Sequence, residues 1–171
     1  ANGDLPIFNY KEMKDFNRSY FAIRNYSKAS NNYELAAELN SDGILCPNCH
    51  SVLKYRLNNY ASLGDYACPN CDFRTPDITY SIDELIKLDS NYSEFILNGK
   101  KYEVNVGGLY NVYNALAALS VAKELGLSDA EIYQGLRNQK NVFGRQENVV
   151  IDGKNLTINL VKNPTGLNQI I

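Results

Sequence analysis

The sequence predicts an α/β fold with a small metal-closed insertion, and three observations make the prediction. Asn98-Gly99 and Asp152-Gly153 each separate short apolar runs, the pattern of β-hairpins turned by a left-handed dipeptide. The alanine-rich stretch from Leu109 to Leu125 repeats apolar or small residues at 112, 115, 116, 119 and 122 or 123, the spacing of a helix that packs closely on a sheet. All four cysteines fall within residues 46–71, as two Cys-Pro-Asn-Cys turns.

At 171 residues and 44% hydrophobic content the chain can fill the core of one ordinary domain with a small appendage. No apolar run approaches the roughly 20 residues of a membrane span, and the N-terminus lacks the basic-then-apolar pattern of a signal peptide, so a cytoplasmic location is expected. With 17 basic and 19 acidic residues the net charge is −2, which creates no field to draw the protein onto nucleic acid or an anionic membrane. Any anion site must be local. The opening Ala-Asn-Gly-Asp-Leu-Pro reads as the end of a buried element without its beginning, and the chain is expected to be a piece of a longer polypeptide.

Along the chain, Phe21–Ile23 is strand-like, 27–32 is a polar linker, and 34–39 is too short to assign. The cysteine segment occupies 42–76. Phe95–Leu97 and Tyr102–Val106 flank the first hairpin turn, and Gly107-Gly108 break the strand before the long helix. Gly126 closes that helix, and Ser128-Asp-Ala-Glu131 is a capping box that opens a second one, ending near Gln139. Val149–Ile151 and Leu156–Val161 then flank the second hairpin turn. There is no internal repeat.

Cys46, Cys49, Cys68 and Cys71 stand as CxxC, 18 intervening residues, CxxC, the spacing of a four-thiolate zinc ribbon. Val52–Leu57 and a segment ending at Tyr66-Ala67 read as two short strands, joined by a polar turn from Asn58-Asn59 to Gly64-Asp65. Four thiolates close the coordination sphere and leave no position for water, so the metal is expected to be structural rather than catalytic. Lys54, Arg56 and Arg74 are near enough in sequence to temper its negative charge. His50 directly follows Cys49 and reads as a solvent-facing side chain. A redox pair would need one CxxC beside a βαβ unit, and two disulfides are rarely needed at this length in a reducing compartment. A nucleic-acid module would need more cations than Lys54 and Arg56 inside the ribbon. The zinc is thus expected to hold together an insertion too short to bury its own core.

Asn111 and Asn114 lie three apart on one side of the helix, right after Gly107-Gly108. They read either as ordinary helix-start polarity or as adenine contacts, since a carboxamide offers the donor and acceptor that an adenine edge requires. Phe143-Gly144-Arg145-Gln146-Glu147 reads as an exposed loop or as a hinge that brings a guanidinium to phosphate or ribose. Lys162 to Asn168 reads as a turn or a small polar loop.

Taken in order, Ala-Asn-Gly-Asp-Leu-Pro at 1–6, Gly108-Leu-Tyr-Asn-Val-Tyr-Asn-Ala-Leu-Ala-Ala118, Phe-Gly-Arg-Gln-Glu at 143–147 and Val-Lys-Asn-Pro-Thr-Gly-Leu-Asn at 161–168 resemble the Mur ligase family over nearly the whole chain. The four-cysteine insertion narrows the resemblance to members that amidate the peptidoglycan stem peptide. The resemblance implies that 1–41 and 77–145 are part of the central ATP-binding domain, 42–76 an inserted zinc ribbon, and 146–171 the hinge and start of the C-terminal domain. It implies Asn114 as the best adenine ligand, Asn111 as its support and Arg145 as a nucleotide contact at the hinge. Tyr110 stands where many relatives have His, and Asn163 where they commonly have Asp.

The activity implied is a carbon–nitrogen ligase reaction. ATP and Mg2+ are used to phosphorylate the α-carboxylate of D-glutamate in lipid II, and ammonia from a glutaminase partner, GatD, then gives D-isoglutamine. A carboxylate is a poor electrophile, and phosphorylation supplies the leaving group it lacks. No Gly-x-x-x-x-Gly-Lys-Ser/Thr phosphate loop occurs in the sequence, so the chain alone is expected to be inactive, with its catalytic residues outside it. The alternatives are another Mur-type ligase, such as a folate polyglutamylating one, and a non-catalytic zinc-ribbon module for nucleic acid or protein.

Overall fold

The computed structural model describes residues 1–9, 17–38, 41, 43–138, 145–162 and 167, with the side chains at 26, 145–148 and 159 outside that description. Nine strands and two α-helices organise these residues: β1 (Phe21–Ile23), β2 (Leu35–Ala36), β3 (Lys54–Tyr60), β4 (Leu63–Ala67), β5 (Tyr80–Leu88), β6 (Ser93–Leu97), β7 (Lys100–Val104), α1 (Leu109–Glu124), α2 (Asp129–Arg137), β8 (Arg145–Ile151) and β9 (Lys154–Asn159).

The main sheet runs β1-β5-β6-β7, with β1 parallel to β5 and the other pairs antiparallel. Asn98 (φ 46°) and Gly99 (φ 76°) turn β6 into β7 in the doubly left-handed conformation that suits the twist of a two-residue hairpin. Asp152 (φ 51°) and Gly153 (φ 73°) do the same between β8 and β9. One layer of helix covers the main sheet. Val112, Ala115, Leu116 and Leu119 of α1, the positions expected from the helical repeat, are buried against Ile23, Ile82, Phe95, Tyr102 and Val104. Ile132 and Leu136 of α2 complete this core. The capping box is present as expected: Ser128 Oγ accepts from Glu131 N, and Glu131 accepts from Ser128 N. α2 ends at Arg137, short of the expected Gln139.

Two differences from the sequence reading bear on function. The nine-residue strand β5, unassigned from sequence, is the central link of the main sheet, since it pairs with both β1 and β6. The cysteine-bearing hairpin also reaches further than a polar turn at 58–65 allows. β3 continues to Tyr60 and β4 starts at Leu63, so only Ala61 and Ser62 turn the chain, and Tyr60 and Leu63 pack on the main core. Gly64 permits this close pairing, because a Cβ there would stand 2.0 Å from the Leu57 carbonyl oxygen.

Candidate functional site

The three strands β2-β3-β4 carry the cysteines at one end. In the first turn Cys46 N donates to Ser51 O at 2.8 Å and His50 N to Cys46 O at 2.9 Å, with His50 left-handed at φ 60° and exposed. In the second, Cys68 N donates to Phe73 O at 2.7 Å and Asn70 N to Cys68 Sγ at 3.4 Å. These tight turns aim all four sulfurs at one point, where they lie within 4.8 Å of one another. The Sγ separations are 3.6 Å for Cys46–Cys71, 3.4 Å for Cys49–Cys68 and 3.8 Å for Cys49–Cys71. Tetrahedral zinc–thiolate bonds of about 2.3 Å place sulfurs about 3.8 Å apart, so the donor set fits such an ion and is compatible with a zinc ribbon.

The thiols differ in their acid–base surroundings. Burial pushes the Cys46 thiol up to about 12. The Ser51 hydroxyl and backbone hold Cys49 down at about 6. Four sulfurs this close do not all lose their protons unless a cation replaces them. Around the sulfurs, Leu53, Tyr55, Tyr66 and Phe73 form a small buried cluster with Ala37, so the cysteine-bearing unit, expected to be too short to bury a core, has a small one of its own. Of the three cations expected to temper the thiolates, Arg56 is committed elsewhere, with its Nε 2.5 Å from Asp65 Oδ2 and its guanidinium over the Tyr33 ring.

At the first turn of α1, Gly108 takes the cap position at φ 83° with no side-chain cap. Asn111 Nδ2 donates to the Gly107 carbonyl at 2.7 Å, and Asn114 Nδ2 to Asn111 Oδ1 at 3.4 Å. Asn111 is half-buried and Asn114 exposed, so the structure places the pair together, the inner amide tied to backbone and the outer one facing solvent. Arg145 is the first residue of β8, and its side chain lies outside the described residues, as do Phe143, Gly144 and Asn163.

A buried polar hub, not foreseen from the sequence, joins the ribbon to α1. Asp4 is fully buried, and its carboxylate accepts from Ile23 N at 2.8 Å, from Tyr113 Oη at 2.7 Å and from Arg24 Nη1. Arg24 is itself buried, and its Nε lies 4.0 Å from Asp65 Oδ2. Asp65 further accepts from Arg56 Nε, from Tyr33 Oη at 3.1 Å and from Thr75 Oγ1 at 2.9 Å. Asn59 Nδ2 donates to Ile23 O at 3.0 Å and to Tyr113 Oη at 2.7 Å. Burial pushes the Tyr113 hydroxyl well above its ordinary range, so it stays a donor. Burial also works against the charges of Asp4 and Arg24. Three donors converging on one carboxyl nevertheless serve the ionised pair, and Asp4 and Asp65 hold the guanidinium charged. The only sequence signal for the hub was Asp4, inside the opening motif.

No family model matches the chain. It is 42% identical over 170 residues to the lipid II isoglutaminyl synthase (glutamine-hydrolyzing) subunit MurT of Streptococcus pneumoniae, an alignment that covers 99% of this chain and 37% of that protein. It is 32% identical to the MurT subunit of Staphylococcus aureus, over 98% of this chain and 36% of that protein. The fold is similar to that of a pseudomurein peptide ligase type C from Methanothermus fervidus, with a TM-score of 0.71 and 28% identity over 99% of this chain and 32% of the other. The chain thus spans little more than a third of the curated relatives it matches. Identity of this extent over almost the whole chain shows that it belongs to the Mur ligase family and aligns within it with the MurT subunits.

Proposed function

We propose that the chain is part of the synthetase subunit of a lipid II isoglutaminyl synthase. In this reading the full-length protein uses ATP and Mg2+ to amidate the α-carboxylate of D-glutamate in the stem peptide to D-isoglutamine. Ammonia is supplied by a GatD-type glutaminase subunit. The observation that carries the proposal is the 42% identity to a MurT subunit along 99% of the chain. No phosphate-loop motif occurs in the 171 residues, so the phosphates would be held by residues outside them.

This chain's own contribution would be to orient the nucleotide. Asn114, exposed on α1, would pair with the adenine edge, and Asn111, fixed on the Gly107 carbonyl, would set its amide plane. Arg145 would meet the nucleotide from the start of β8. Cys46, Cys49, Cys68 and Cys71 would bind one structural Zn2+, which stabilises the folded ribbon and supplies no chemistry to the reaction.

The test uses the full-length subunit with its glutaminase partner. Loss of an amide pair to adenine is worth about 1–2 kcal/mol, so Asn114→Ala should raise the ATP dissociation constant about tenfold while D-isoglutamine remains the product. Unchanged ATP affinity would remove the asparagine from the site. A product other than an amidated stem peptide would replace the acceptor assignment.

A further inference from the structure

We infer that the tip of the cysteine ribbon positions the nucleotide-contacting turn of α1, with Asn59 and Tyr113 as positioning residues. This rests on the adenine role of Asn114 proposed above. The ribbon hairpin has two ends. The Cys end gathers the sulfurs; the opposite end, from Asn59 to Leu63, enters the main core rather than solvent.

There Asn59 uses its amide nitrogen twice, once on the Ile23 carbonyl at the end of β1 and once on Tyr113 Oη. Tyr60 adds an edge-on contact to the Tyr113 ring, with centroids 5.9 Å apart at 72°. Tyr113 lies between Asn111 and Asn114 in the first turn and a half of α1, on the buried side, while Asn114 is on the exposed side. A rigid turn pinned from within fixes where its outer side chain points.

The pin is anchored on both sides. Tyr113 Oη donates onward to Asp4, Asp4 binds Arg24, and Arg24 approaches Asp65, which returns the path to β4 of the same hairpin. Gly64 N also donates to Asp4 O at 3.1 Å. The ribbon therefore touches the hub at Asn59 and again at Gly64-Asp65. An insertion that only needed to be folded would require none of these contacts. Their common target is the Asp4–Tyr113 pair beneath the asparagine turn.

The experiment measures ATP and GTP dissociation constants of the full-length protein by calorimetry, for the wild type and for Asn59→Ala, Tyr113→Phe, the double variant and Asn114→Ala. Base discrimination is the readout because general destabilisation of a folded protein weakens both nucleotides alike. Asn59→Ala and Tyr113→Phe should each reduce the preference for ATP over GTP by about three- to tenfold, and the double variant no further than the worse single. Two variants at opposite ends of one hydrogen bond keep the test decisive if one fails to fold. If Asn114→Ala abolishes the preference while Asn59→Ala and Tyr113→Phe retain it, the positioning role is overturned and the adenine contact stands. If Asn114→Ala itself retains it, the adenine reading falls, and the positioning role with it.

Discussion

At the scale of single residues, the most consequential group is Asp4, a carboxylate with no solvent exposure whose partners come from β1 and α1. Ion pairs of this kind add little net stability when intact but cost a great deal when halved, because the remaining charge is buried alone. Asp4→Ala leaves the Arg24 guanidinium with the Ile23 carbonyl, 3.3 Å from Nη1, and with Asp65, 4.0 Å from Nε, as its remaining anionic partner among the described residues, while its Nη2 already has no hydrogen-bond partner there. The expected loss is about 3–5 kcal/mol in chemical denaturation. Arg24→Met with Asp4→Leu, which removes both charges, should cost markedly less. Equal losses in the two variants would mean that the pair matters for packing rather than charge. Little of this is legible in the sequence: the opening motif marks Asp4 as part of a buried element, but Arg24 is an ordinary surface residue type, and only the tertiary path of 1–5 alongside β1 buries the two together.

At the scale of elements, legibility followed how local the cause was. The two hairpin turns, the α1 repeat and the Ser128–Glu131 cap depend on residues within a few positions of one another, and each formed where expected. β5 is missed because the adjacent Leu85-Ile86 breaks a period of two, and two register shifts against β6 leave Ile82 buried while Ile86 and Leu88 are exposed. Asn58-Asn59 read as a turn for their polarity, but Asn59 finds its partners at Ile23 and Tyr113, remote in sequence. The two-ended ribbon predicts a graded response to metal removal. A chelator should lose hydrogen-exchange protection first at Tyr55 and Tyr66, beside the sulfurs, whereas amides of β6, β7 and α1 keep theirs. Uniform loss would show that the ribbon and main sheet unfold as one unit. The α2 cap carries its own pH signature. The Ser128 hydroxyl and backbone amide hold the exposed Glu131 carboxyl below its ordinary 4.5. A lowered folded value means the contribution is complete above 4.5 and is lost as pH falls through that lowered value, so α2 amides should lose protection in mild acid before those of α1.

At the scale of the whole molecule, the described residues divide into well-buried and poorly covered surfaces. The main core and the ribbon cluster are each closed, and the hub joins them. The β8–β9 hairpin is not closed. Register places Val149 opposite Leu156, and the two-residue alternation of a strand puts Ile151 and Ile158 on that same face. Ile151, Leu156 and Ile158 are 54%, 45% and 49% exposed, far more than apolar side chains in a contiguous stripe usually are. Val121 and Leu125 leave a second apolar surface on α1, at 58% and 73% exposure. A two-stranded hairpin is at best marginally stable alone in water, so association that covers this stripe would stabilise the hairpin as well as bury area. The 171-residue chain by itself should therefore self-associate, with a sedimentation coefficient that rises with concentration in the micromolar range. Ile151→Lys with Ile158→Lys should restore a monomer without disturbing the cysteine cluster, because neither residue belongs to the buried cluster around it. A wild-type chain that stays monomeric at every concentration would show that the stripe is covered within the chain itself. Self-association unchanged by the lysines but abolished by Val121→Lys would move its origin to α1.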